Sequence, residues 1–292
     1  ILPQHLEADD VLGGTGMVEA ATYLSILLGT VLAGWLTPPQ AAIGVLIVAV
    51  IGWFAGRMVP PAPRVGPKLE INWNPFTASW RLINGTMHIP RLFLAILSIS
   101  FFWTIGAVLI IIFPPLVKNV LTADERVASM TIAIFSVGVA IGSVIINTML
   151  KGKISARYSP ISVILMGIMT AVFAVIAKNW VPAPAGGYYG VTDFLTHPQS
   201  IALTIALVLI ATFGGMFVVP LYAFLTTTVT KDQTARTVAA NNVVNALAMV
   251  VGSALVIALT SFGATPDNLL FLVTAMCLFS AWLAQKLHRA CD

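Results

Sequence analysis

The stretch 214–255, GGMFVVPLYAFLTTTVTKDQTARTVAANNVVNALAMVVGSAL, decides the reading of this chain. It is two long apolar runs joined by a short polar connector, 226–237. Each run has the length of a helix that crosses a bilayer, which takes about 20 apolar residues. The first run carries Pro220 and Tyr222 in its interior. The second opens with Asn241, Asn242 and Asn245 and then turns purely apolar. An amide without a partner at membrane depth costs free energy, so three asparagines at the mouth of such a helix call for a reason.

The whole chain shares this character. It is 58% hydrophobic and 9% charged, with a mean hydropathy of +0.94. A soluble domain carries about 25% charged residues, so this chain has too little charge to coat a globule in water. The composition defines an all-α, multi-pass membrane protein. The net charge of +4 does not point to nucleic acid, because the basic residues fall in loops, where they report membrane orientation. Cys277 and Cys291 make neither a disulfide framework nor a metal spacing. His5, His88, His197 and His288 are scattered through loop-like sequence. No metal or other cofactor is expected, and no Ser/His/Asp set or phosphate-binding loop suggests an enzyme.

Apolar length places eight spans, at about 15–36, 40–58, 92–113, 127–150, 159–178, 200–225, 235–260 and 267–287. Prolines punctuate them, since proline cannot donate to a helix ladder: Pro38 and Pro39 separate the first two spans, Pro114 and Pro115 are expected to end the third, and Pro160 opens the fifth. The loops alternate in charge. One side collects Arg57, Arg64, Lys68, Arg81, Arg91, Lys151, Lys153, Arg157, Lys231, Arg236, Lys286 and Arg289; the other has only Lys118, Arg126 and Lys178. The positive-inside rule then places both chain ends in the cytoplasm. Within the long basic connector, 75–85 (PFTASWRLING) suits a short amphipathic helix with Phe76, Trp80 and Ile83 on one face. That face fits the headgroup layer or a packing surface on the spans equally well. In the outer loop 179–200, Trp180, Tyr188 and Tyr189 read as an aromatic belt. The chain begins at Ile1, inside what looks like a motif, and reads as a piece of a longer protein with helices upstream.

Glu19 is the one ionisable side chain inside a span, and an intramembrane acid is a candidate for function by default. The start of the chain also resembles 232–255 at an offset of 223, which sets Asp9 on Asp232, Glu19 on Asn242, Thr22 on Asn245 and Gly29 on Gly252. Repeats of this kind build many transporters. Asn241 and Asn245 share a helix face, as do Tyr222 and Thr226 on the preceding span. The short connector makes these two spans antiparallel neighbours, whose polar groups either face one cavity or fasten helices together. Trp103, in the bulky run Phe101–Trp103, either lines a path or packs the core. Gly138 with Gly142, and Gly29 with Gly34, permit close helix approach.

These residues resemble the major facilitator superfamily, with the eight spans equivalent to its fifth through twelfth. The loop signature G-x-x-x-D-R-x-G has a degenerate copy at 152–159, where Gly152 and Arg157 match while Ala156 and Ser159 depart. On this resemblance, 1–58 is the remainder of an N-terminal helical half, 59–91 a cytoplasmic central loop, and 92–292 a six-helix half. Three stretches, 101–121, 135–143 and 214–250, look like the lysophospholipid transporter branch, which includes membrane domains fused to acyltransferases. Thr226 stands where that branch suggests glutamine. The resemblance implies transport of lysophospholipid across the bacterial inner membrane for reacylation, by alternating access. It implies membrane lipids and an associated acyltransferase as partners, and Glu19, Trp103, Tyr222, Thr226, Arg236, Asn241, Asn242 and Asn245 as binding or gating residues. Two other outcomes share the fold: an exporter of drugs, sugars or metabolites, and a membrane anchor for a fused acyltransferase.

Overall fold

The computed structural model describes residues 2–7, 10–62, 72–184 and 186–291. Asp9, Arg64 and Lys68 of the sequence reading lie outside them, as do the surroundings of Gly34. The described chain folds as helices α1 (Leu2–His5), α2 (Val11–Trp35), α3 (Pro38–Met58), α4 (Pro75–Met87), α5 (Pro90–Asn119), α6 (Glu125–Leu150), α7 (Ser159–Lys178), α8 (Val191–Thr196), α9 (Ser200–Thr227), α10 (Thr234–Ser261) and α11 (Pro266–Cys291). Eight of these are long and apolar enough to cross a membrane, and they match the eight spans read from apolar length. Backbone polar groups have no water to bond in lipid, so a spanning segment must satisfy them internally, as a helix does.

Helix boundaries follow local chemistry. Asp124 caps α6 by accepting from the Val127 N–H at 3.0 Å, and Asn74 caps α4 by accepting from Phe76 and Thr77. Prolines open α3, α4, α5 and α7, where the missing N–H would have had no helical partner. Pro114 and Pro115 behave differently from the expectation: α5 runs through both to Asn119. A proline removes one ladder bond and strains the turn before it. Here the two sit in the last turns, and the helix closes beyond them with Val120 N–H donating to Leu116 O at 3.0 Å. The outer loop also contains the short α8, which apolar length does not reveal.

Packing is organised around glycine. Gly142 lies so close to α9 that a Cβ there would fall on the Thr212 carbonyl oxygen. A Cβ at Gly138 would stand 2.6 Å from the Ala211 Cβ, and one on Gly215 would fall on the Val139 carbonyl. The order of these contacts makes α6 and α9 parallel, with no side chain between their backbones at the crossing. Gly29, by contrast, has nothing within 4 Å, so only one of the two expected glycine pairs is seen to serve close packing. Helix α2 lies antiparallel to α6, with Gly13 against Asn147 and Gly16 against the Ser143 carbonyl, and it also meets α9. Helices α7 and α11 pair beside α9 and α5. Helix α10 packs mainly along α5 and under α4, and meets α9 little. The expectation of α9 and α10 as close antiparallel neighbours is corrected accordingly: Gly252 fits against Thr104 of α5 instead. Helix α3 buries none of its residues.

Alternation of direction brings the start of α2, α5, α7 and α10 and the end of α6, α9 and α11 to one end of the bundle. Lys151, Lys153, Arg157, Lys231, Arg236, Lys286 and Arg289 gather at this basic end. Its loop signature keeps two geometric demands. Lys151 and Gly152 adopt positive φ of 49° and 77° to end α6, and Ser159 is buried at the start of α7, where its hydroxyl donates to the Phe217 carbonyl at 3.5 Å. Arg157 rests over the Tyr158 ring at 5.5 Å. At the other end, Trp180 is buried rather than facing headgroups. It stacks on His197 at 3.8 Å and on Phe194 at 5.3 Å, forming the core of the outer loop.

Candidate functional site

Polar residues from four helices meet inside the bundle. Glu19 on α2 is 9% exposed. It stands eight residues past Val11, about 12 Å along the helix at 1.5 Å per residue. This is deeper than a headgroup-level cap, and its Oε2 has no hydrogen-bond partner among the described residues. Tyr222 on α9 and Tyr23 on α2 lie within electrostatic reach of it. The Tyr222 hydroxyl accepts a 2.6 Å hydrogen bond from Trp103 Nε1 on α5. Asn241 and Asn245 of α10 approach the same hydroxyl. Residues of 214–255 thus meet at one polar centre, where α9 and α10 touch although α10 packs mainly on α5.

The asparagines have different roles. Asn245 accepts a 2.7 Å hydrogen bond from Ser100 Oγ on α5, which fastens α10 to its parallel neighbour. Asn241 is fully buried beside the Tyr222 hydroxyl, and neither its amide nitrogen nor its amide oxygen makes a hydrogen bond of good geometry with any described residue. Buried polar atoms are satisfied in the great majority of cases, so this amide is an exception that calls for a reason. Asn245→Leu should lower thermal stability by about 0.6–1.7 kcal/mol, the range for interhelical hydrogen bonds in membranes. Asn241→Leu should leave it unchanged or raised. Melting of the two purified variants in detergent checks the contrast, and equal losses would contradict it.

Other expected residues fall elsewhere. Asn242 is exposed, turned about 100° from Asn241 on α10, and Thr22 is exposed on α2. The buried pairs are Glu19 with Tyr23 and Asn241 with Asn245, one residue out of step with the offset of 223. The Thr226 hydroxyl donates to the Tyr222 and Ala223 carbonyls of its own helix and takes no part in the centre. Arg236 lies at the basic end, beside α4. Sequence reasoning missed Tyr23 and Ser100. The spacing of Ser100, Trp103 and Thr104, at i, i+3 and i+4, was the available signal for a polar stripe on α5.

A bundle of helices long and apolar enough to span a membrane, with a partly unsatisfied polar interior, defines the class as a multi-pass membrane protein with a buried polar centre. The Major Facilitator Superfamily profile matches residues 1–253, and the chain belongs to that superfamily. Among its relatives, the Lysophospholipid transporter LplT of Photorhabdus laumondii is 25% identical over 235 residues, covering 77% of this chain and 52% of that protein. The proteins of the same name from Serratia proteamaculans and Yersinia enterocolitica are 24% and 26% identical over similar shares. The chain spans about half the length of these relatives. No solved structure matches it.

Proposed function

We propose that this chain serves a transporter that moves lysophospholipid across the bacterial inner membrane, toward the cytoplasmic leaflet, where an acyltransferase re-esterifies it. The observation that carries the reading is a pair of buried groups near Tyr222, Glu19 Oε2 and the Asn241 amide, neither of which makes a hydrogen bond of good geometry with a described residue. The names of the relatives support a lysolipid as the substrate. A lysolipid offers hydroxyl, ester and phosphate oxygens to such a centre, and a single acyl chain to the apolar helix faces around it. The basic end faces the cytoplasm on the charge rule. Residues 1–58 belong to one helical half and 92–292 to the other, and α2 forms their seam against α6 and α9. Rocking at this seam exposes the centre to one side and then the other.

Uptake of labelled lysophosphatidylethanolamine by spheroplasts tests the reading. Deleting the gene should abolish uptake, the wild type should restore it, and Asn241→Leu should not. Unchanged lysolipid movement after deletion, or export of a soluble compound without a lysolipid phenotype, would overturn it. Trp103→Phe removes the 2.6 Å bond to Tyr222 and keeps the ring in place. Loss of about 1 kcal/mol of hydrogen bonding should appear as a several-fold rise in the half-saturating lysolipid concentration, with the maximal rate largely kept.

A further inference from the structure

The connector helix α4 flanks a recess at the basic end of the bundle. Leu82, Gly85 and Thr86 of α4 form one wall, and Gln233, Arg236 and Thr237 of the α10 start form the facing one. The recess has a volume of about 200 Å³, several times the roughly 30 Å³ that a water molecule occupies in the liquid. Its α4 wall is held in place: Asn74 caps the helix, and Thr86 is buried on the α10 side. No carboxylate lines the recess, and Arg236 has no ion pair or side-chain hydrogen bond with any described residue. Arg236 and Gln233 are exposed at the rim and Thr86 donates its hydroxyl to Leu82 O, so the donors offered are the guanidinium, the Gln233 amide and the Thr237 hydroxyl, a set that suits a tetrahedral oxyanion reaching in from outside.

The far side of α4 sets the depth of this receptor. Phe76 and Trp80 there are 84% and 72% exposed, and Trp73, in the segment just before the helix, is 88% exposed. Ile83 turns partly inward, so the aromatic stripe is narrower than the sequence pattern suggests. Tryptophan and phenylalanine on an amphipathic helix beside bilayer-crossing helices settle in the headgroup layer. The recess behind them then sits level with the lipid phosphates. We propose that the recess between α4 and α10 binds the phosphate group of a phospholipid headgroup through Arg236, at a site separate from the Glu19–Asn241 centre. Bound lipid there would clamp the connector helix onto α10. This inference does not rest on lysolipid being the transported substrate.

The test uses the purified protein taken from mixed micelles of phosphatidylcholine and fluorescent phosphatidylglycerol, and measures the labelled lipid retained after detergent exchange. Arg236→Gln should lower retention by about tenfold or more, the scale of a lost charged hydrogen bond, and Arg236→Lys should keep part of it. Gly85→Leu provides an independent arm. Nothing lies within 4 Å of a Cβ at Gly85, so the new side chain should enter the recess and displace lipid with Arg236 intact. Inorganic phosphate, exchanged for chloride at constant ionic strength, separates the sources. Retained lipid that phosphate fails to displace assigns the site to headgroups. Arg236-dependent thermal stabilisation by phosphate alone, without lipid retention, assigns the same chemistry to the free anion. Equal lipid retention by the wild type, Arg236→Gln and Gly85→Leu, with no phosphate effect on melting, would overturn the proposal.

Discussion

Glu19→Leu is expected to abolish lysolipid movement while leaving the folded protein at least as stable as the wild type. The side chain is buried, and Oε2 has no partner among the described residues. An unsatisfied buried polar group costs about 1–3 kcal/mol, and more if charged. Exchange of buried ionic groups for apolar ones of similar volume is often neutral or stabilising. Leucine removes that cost and fills most of the space. Gain of stability with loss of activity marks a group kept for function, because active sites retain features that folding alone would discard. Glu19→Gln separates charge from shape. If the carboxylate acts through charge, the glutamine variant should be as inactive as leucine; if it acts through hydrogen bonding, part of the activity should return. Thermal melting in detergent and spheroplast uptake, measured on the same variants, decide the matter. A leucine variant that melts early and still transports would make Glu19 a structural residue.

Gly142→Leu should abolish folding of the bundle. The new Cβ would fall on the Thr212 carbonyl oxygen, a backbone atom that cannot rotate aside, and Gly215 faces Val139 in the same way. Overpacking a well-filled interior costs about 1–3 kcal/mol when side chains adjust, and more when they cannot. Here the two backbones would have to part along the α6–α9 crossing, so the loss should exceed that range. Gly29→Leu is the matched control, since nothing lies within 4 Å of that position. Size-exclusion profiles of fluorescently tagged protein should show aggregate for Gly142→Leu and a sharp peak for Gly29→Leu. The reverse pattern would show that the close crossing is not what holds the bundle.

Apolar length was enough to find all eight spans, because the thickness of the membrane turns a three-dimensional demand into a count along the chain. Partnership between spans was less legible. The short 226–237 connector suggested α9 packed on α10, yet α5 takes that place, since Thr104 and Ser100 offer α10 both a fit for Gly252 and a bond for Asn245. Pro114 and Pro115 read as a stop, but near a helix end their lost bonds are few. The internal repeat pointed to the right region and the wrong register: identity alignment set Glu19 on Asn242, whereas burial sets it on Asn241. A one-residue shift turns a helical side chain by about 100°, which is enough to move an asparagine from the centre to the outer face. Trp180 shows the same limit, because stacking on His197 depends on loop geometry that composition does not encode.

The bare crossing of α6 and α9 has a mechanical consequence. Where main chain meets main chain, there are no rotamers to yield, so the two helices must travel as a single stiff lever. Helix α10, held to α5 through a bond and a methyl contact and only lightly to α9, is attached to that lever by much softer joints. Rocking at the α2 seam will therefore carry α6 and α9 as one body, with the distance across the glycine crossing fixed and any internal give taken up between them and α10.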